Sequence, residues 1–315
     1  MTAHRRILAA HARPASLSSA AAAGADYGAS DSPDWRSVHW PAQLRAMTVA
    51  GRRVHLADRG SGEGPPLLLI HGLGGRWQNW LENIPRLAQH RRVVAIDLPG
   101  FGRSQMPTQP ISIAGYASAL DRVCDLLELD AAVVVGNSLG GLVATELALR
   151  FPDRTSALVL VAAACLAPAE LSLHGAQLAL SASRWITASL PNGTTSVLRR
   201  RRARHLAFAS ILRHPTRIAT DTLYELAGGL RPPGTFQALS ALSMHDITGE
   251  LREIAVPSLV IHGREDMLIP HSEAEQLAGL LAGAELVSFE DTGHMPMVER
   301  PVPFNEAVLR FVGAL

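Results

Sequence analysis

The sequence predicts an α/β protein: a mostly parallel sheet covered by helices on both faces, interrupted by an inserted helical segment. Three observations lead there. Short continuous apolar runs recur at Leu67–Ile70, Val93–Ile96, Ala131–Val135 and Leu158–Ala162, the mark of strands buried on both faces. Longer stretches of helical periodicity lie between them, as parallel crossovers require. The rhythm stops after Ala164 and returns at Ser258, leaving residues from about 165 to 246 without a convincing strand.

The elements follow in order. Residues 1 to about 43 are rich in Ala, Ser, Pro and Asp without periodicity, so a partly disordered tail is expected, becoming ordered near Trp35–Pro41. Met47–Val49 and Arg53–Ala57, joined by Ala50-Gly51-Arg52, read as a hairpin. Helices are expected over Trp77–Gln89, Ser112–Leu129 and Leu139–Phe151. Beyond the insertion come a strand at Ser258–Ile261, a helix at His271–Leu281, a strand at Glu285–Phe289 and a closing helix at Pro301–Phe311. The chain thus divides into a tail (1–43), an α/β core (44–164 and 247–315) and a helical cap (165–246). The cap leaves the sheet directly after a strand, so it is placed over the strands' carboxyl ends, where ligand sites of open α/β sheets lie.

Composition narrows the function. With 315 residues and 47% hydrophobic content, the chain can bury a substantial core and is not a disordered polymer. A formal charge of +1 argues against a nucleic-acid partner, which needs a concentrated basic surface. All 29 basic residues are Arg, which removes Schiff-base and lysine-base chemistry. Two cysteines, Cys124 and Cys165, make neither a disulfide framework nor a zinc site. The longest apolar run, Ala157–Ala169, is too short for a membrane span and contains Pro168. Arg5 and Arg6 before Ile7–Ala10 begin like a secretory signal, but His11, Arg13 and Pro14 break the apolar stretch. The cytoplasm is the expected location, with secretion left open.

Three loops carry candidate chemistry. Gly136-Asn137-Ser138-Leu139-Gly140 is a G-x-S-x-G pentapeptide set between a buried strand and a helix. Such a turn is tight, and a side chain at Gly136 or Gly140 would collide with nearby backbone. A serine in a glycine-rich turn that binds phosphate, or nothing, is the plainer reading. A serine nucleophile needs a base, and the base needs an acid to orient it. His294, in Asp291-Thr292-Gly293-His294, follows the last strand; Asp266, in Gly263-Arg264-Glu265-Asp266, follows the strand before. Both loops open at the same sheet edge as Ser138. His71 and His262 each adjoin a glycine and read as shaping turns. His71-Gly72-Leu73-Gly74-Gly75 follows the Leu67–Ile70 strand, and its glycines free backbone N–H groups to bind an oxyanion. The amides of Leu73 and Leu139 are the expected donors.

Over Leu44–Leu315 this set of motifs, with the turn Asp97-Leu98-Pro99-Gly100-Phe101-Gly102-Arg103-Ser104, resembles the α/β-hydrolase superfamily. The resemblance implies an eight-stranded, mostly parallel sheet with a helical cap after the sixth strand. It implies Ser138 as nucleophile, Asp266 as acid and His294 as base, with Asp97 in a structural turn. Relatives that open epoxides or cleave carbon–halogen bonds carry aspartate where Ser138 stands. Relatives that cleave carbon–carbon bonds of vinylogous diketones use serine, often after an asparagine such as Asn137. They usually carry tryptophan after the histidine, where this chain has Met295. Perhydrolase-like relatives share the same triad.

The expected activity is hydrolysis of carboxylic esters of hydrophobic substrates through an acyl-enzyme, with no metal and no organic cofactor. Carbon–carbon bond hydrolysis with the same triad is the enzymatic alternative; a non-catalytic small-molecule-binding scaffold is the other. Within the cap, Leu171, Leu173, Leu178, Leu180, Trp185, Ile186, Leu206, Phe208, Ile211 and Leu212 offer apolar surface for packing or for a pocket. The run Arg199–Arg202, with Arg204 and His205, reads as a solvated helix face. Its second reading is a weak contact with an anionic membrane surface or an anionic substrate group.

Overall fold

The computed structural model describes residues 12–17, 19–166, 198–228 and 232–315. An eight-stranded sheet runs in the order β1-β2-β4-β3-β5-β6-β7-β8. Its strands are β1 (Leu44–Val49), β2 (Arg52–Arg59), β3 (Leu67–Ile70), β4 (Val93–Ile96), β5 (Ala132–Asn137), β6 (Thr155–Val161), β7 (Ser258–Gly263) and β8 (Glu285–Phe289). Strand β2 runs antiparallel to both its neighbours; every other pairing is parallel. This is the eight-stranded, mostly parallel architecture expected from the sequence.

The helices that cover it are α1 (Ile113–Leu127), α2 (Leu139–Arg150), α3 (Arg201–Phe208), α4 (Thr220–Ala227), α5 (Thr235–Met244), α6 (His271–Leu280) and α7 (Pro301–Gly313). Helix α1 is capped by Ser112, whose side chain accepts from the Gly115 N–H at 3.0 Å. It ends at Glu128, which is left-handed at φ 55°. The alternating faces of the central strands split into two apolar clusters. Val94, Val134, Leu158 and Val260 pack with α1 and α2 on one face. Ala95, Val133, Val159 and Leu259 pack with Trp80 and α7 on the other.

One expectation is corrected. The helix predicted over Trp77–Gln89 is a 3-10 turn at Trp77–Trp80 followed by a short helix at Ile84–Leu87. Pro85 sits in the first turn of that short helix, where its missing N–H is tolerated but cannot carry a helix on from Trp80. The N-terminal tail is described over residues 12–17 and 19–43. Its described part docks onto the core, with Tyr27 only 2% exposed. The anchors are irregularly spaced aromatics, invisible to periodicity. Tyr27 reaches Glu299, Trp35 Nε1 donates to Glu82 at 2.9 Å, and Trp40 lies 4.9 Å from the Trp77 ring.

Between β6 and β7 the described residues contain α3, α4 and α5 and no strand. They rest on the loops that leave the carboxyl ends of the strands. Gly234 N donates to Gly100 O at 3.0 Å, and Arg76 pairs with Glu225 at 2.8 Å. Of the apolar residues expected to pack or line a pocket, Phe208 and Leu212 join the Trp80 cluster and Leu206 is 72% exposed. Leu171, Leu173, Leu178, Leu180, Trp185 and Ile186 lie outside the described residues. Arg199, Arg200, Arg201 and Arg202 are exposed. Among the described residues no helix is long and apolar enough to cross a membrane.

Candidate active site

Ser138 stands at the corner between β5 and α2, with φ 56° and ψ −118°, a conformation L-residues rarely adopt. The corner is forced by proximity. A Cβ at Gly136 would lie 2.2 Å from Gly140 O, and one at Gly140 would lie 2.3 Å from Ile70 O. Ser138 N donates to Val161 O at 3.0 Å, so the corner is pinned to the next strand. The serine is partly exposed while its neighbours Asn137 and Leu139 are buried. Among the described residues its hydroxyl has no hydrogen-bond partner.

The His-Gly loop lies against this corner, since a Cβ on Gly72 would meet Ser138 Cβ at 3.2 Å. Gly75 N closes the loop on Gly72 O at 3.0 Å. Neither the Leu73 nor the Leu139 N–H donates to a protein acceptor among the described residues. His71 is fully buried; its Nδ1 donates to Gly72 O at 2.7 Å and its Nε2 accepts from Leu98 N at 3.1 Å. Burial pushes its pKa down to about 4, so it is a neutral strut between two loops. Asp97 accepts from the N–H groups of Trp77 and Arg103, each at 2.8 Å, and makes no hydrogen bond to His294. It joins loops, as the turn reading expects.

Asp266 and His294 meet. His294 Nδ1 donates to Asp266 Oδ2 at 2.7 Å, and both side chains are buried. Asp266 Oδ1 accepts from the N–H groups of Leu268 and Ile269 at 2.8 and 3.1 Å. Burial alone would raise the Asp266 pKa. The charge of His294 and hydrogen bonds from His262 and His294 overcome burial and hold it below the ordinary carboxylate value. His262 Nε2 donates to Ile269 O at 2.9 Å, shaping the turn, and lies 3.4 Å from Asp266 Oδ2. With Nδ1 engaged by the carboxylate, Nε2 of His294 carries the lone pair of the neutral ring.

Contacts that sequence reading missed bring these loops together. Asn137 Nδ2 donates to Val161 O at 3.1 Å and to His294 O at 3.3 Å, tying the serine corner to the histidine loop. Glu265 N donates to Thr292 O at 2.9 Å, and Thr292 N donates back to Glu265 Oε2 at the same distance. Glu299 gathers the amides around His294. No local motif signals such long-range bonds. Among the described residues no three His, Cys, Asp or Glu side chains gather as a metal site.

A family model described as the alpha/beta hydrolase fold matches residues 65–301. The chain belongs to this family. This α/β hydrolase is 32% identical over 289 residues to 2-hydroxymuconate semialdehyde hydrolase of Pseudomonas sp. (strain CF600), covering 85% of this chain and 93% of the relative. It is 29% identical over 255 residues to a pimeloyl-(acyl-carrier protein) methyl ester esterase of Vibrio vulnificus (strain CMCP6), covering 80% and 96%. The solved structure of an esterase from Exiguobacterium antarcticum matches with a TM-score of 0.70 at 22% identity, covering 85% and 98%. At that identity the likeness speaks for the fold alone.

Proposed function

We propose that this hydrolase cleaves carboxylic esters through an acyl-enzyme formed on Ser138. The observation that carries the reading is the buried Asp266–His294 pair at 2.7 Å, on the sheet edge where Ser138 is held in its strained corner. Nε2 of His294 takes the hydroxyl proton as Ser138 Oγ attacks the carbonyl carbon. Asp266 fixes the imidazole tautomer and stabilises the imidazolium that forms. The carbonyl oxygen becomes an oxyanion between the N–H groups of Leu73 and Leu139, which have no protein acceptor to give up. His294 returns the proton to the departing alkoxide. Water then enters by the same base and releases the acid, so bonds, protons and charge return to their starting state. The segment between β6 and β7 acts as a cap that sets specificity and excludes water, while the chemistry stays with the sheet.

A second reading is carbon–carbon bond hydrolysis. It is favoured by the relative that hydrolyses 2-hydroxymuconate semialdehyde and by Asn137 before the serine. The two separate on substrate. Under the ester reading, kcat/KM on p-nitrophenyl esters rises several-fold per added methylene until the pocket is filled, up to about tenfold per step. 2-Hydroxymuconate semialdehyde is then turned over poorly. A higher kcat/KM on that compound than on every ester would replace the first reading with the second. A flat chain-length profile would remove the apolar pocket.

A further inference from the structure

Behind the histidine loop the structure builds a joint that ester hydrolysis by a triad does not require. Glu299 is fully buried at the end of the short helix Pro296–Glu299, 5 residues after His294. Its two oxygens accept from Gly293 N at 3.0 Å and from Met295 N at 3.1 Å, the amides on either side of His294. They also accept from Arg213 N at 2.7 Å, in the segment between β6 and β7, and from Tyr27 Oη at 2.5 Å, in the N-terminal arm. Every neighbour is a donor. Burial pushes the Glu299 pKa up, against three amides that can only donate and a phenol whose own proton is directed at the carboxylate.

The arm is laced in by more than one bond. Tyr27 Oη accepts from His214 N at 2.7 Å, which directs its own proton to Glu299. Gly28 N donates to Glu299 O at 2.8 Å. Asp26 pairs with Arg300 at 2.6 Å, and Arg300 Nε donates to Thr292 Oγ1 at 3.2 Å. The amide of His294 itself donates to Ile211 O at 3.1 Å. His214, two residues on from Leu212, binds both carboxylate oxygens of Asp291 at 2.8 and 2.9 Å. Residues 290–300 are therefore gripped from the arm on one side and the insertion on the other, around one carboxylate.

We propose that Glu299 and Tyr27 are positioning residues for His294, and that the N-terminal arm is thereby part of the machinery that sets its imidazole. The proposal rests on the reading of His294 as the base. A loop merely propped from behind would tolerate loss of one phenol hydroxyl with a lower melting temperature and unchanged chemistry. A loop whose register decides the His294–Asp266 bond would not. Reacting groups displaced by about 1 Å lose about a hundredfold in rate, and a single loosened anchor displaces them by less.

The test uses the full chain as wild type, Tyr27→Phe, Glu299→Gln, His294→Gln and Ser138→Ala, assayed well below each melting temperature. Tyr27→Phe keeps the ring and removes only the hydroxyl. It lowers kcat on p-nitrophenyl acetate about tenfold, with KM within about twofold. Glu299→Gln, which turns an amide N–H toward the donors, lowers it further. The second readout is the low-field proton NMR signal of His294 Nδ1–H, assigned by its absence in His294→Gln. It shifts and broadens in Tyr27→Phe, and this does not depend on which reaction the enzyme performs. Unchanged kcat and an unchanged signal in Tyr27→Phe, with only the melting temperature lowered, would overturn the clamp. Failure of the hydrolase reading shows differently, as full activity in Ser138→Ala; the NMR signal then still decides the clamp.

Discussion

Two loops at the carboxyl edge of the sheet carry the proposed chemistry, and they are held by opposite means. The serine corner is set by close backbone packing around its pentapeptide, where Gly136 meets Gly140 and Gly140 meets Ile70 O at approaches that any Cβ would block. The histidine loop is set from elsewhere: by Tyr27, 272 residues from its partner Glu299, by Ile211 and Arg213 of the insertion, and by Asn137 of β5. The first is a geometry of the strand–helix junction and the two strands beside it. The second is a shared property of arm, insertion and core. A perturbation far from the sheet should therefore move the base before it moves the nucleophile.

Substitutions at the chemical groups themselves cost the most activity. Ser138→Ala should lower kcat by several powers of ten with little change in melting temperature, because the corner is made by the glycines and not by the hydroxyl. Asp266→Asn should cost roughly 10⁴-fold by presenting the wrong histidine tautomer. If Asp97→Asn were the more damaging change, Asp97 and not Asp266 would orient the base. Asn137→Ala probes the link between the two loops. It should lower kcat about tenfold to a hundredfold, with the loss in kcat exceeding any rise in KM. A loss confined to KM would make Asn137 a substrate contact instead of a tie.

His71 joins the loops after β3 and β4 as a neutral strut, with its pKa pushed down to about 4 from 6.5 by burial. The unfolded chain takes up that proton first, so stability falls as pH drops from 6.5 towards 4, by about 3 kcal/mol in all. Urea midpoints at pH 7 and pH 5 should therefore separate more in wild type than in His71→Gln; equal separations would contradict the assignment. The least effect belongs to Arg199, Arg200, Arg201 and Arg202, all exposed. Replacing them with Gln should leave kcat/KM on a small soluble ester within about twofold. A collapse of that turnover would place the arginines at the active site.

What the sequence made legible follows the same division. Strands at Leu67–Ile70, Val93–Ile96 and Glu285–Phe289 fall where their apolar or alternating runs predict, because burial on a sheet is a local pattern. The pentapeptide announced the corner because its glycines answer a local steric demand. Asp266 and His294 were legible because chain order and strand ends place both loops on one edge. Tyr27 and Glu299 were not. A phenol in an aperiodic segment and a glutamate in a helical turn carry no sign of each other until the fold joins them. Pro85 did carry a sign, and the helical periodicity around it masked the break.

Ser138 is proposed as a nucleophile driven by His294. Reaction with a fluorophosphonate, followed by mass spectrometry of the digested protein, tests it without knowledge of the natural substrate. One adduct per chain is expected, on Ser138, absent in Ser138→Ala and formed at least about a hundredfold more slowly in His294→Gln. No adduct on Ser138 in a protein that still hydrolyses esters, or labelling undiminished by loss of His294, would contradict it.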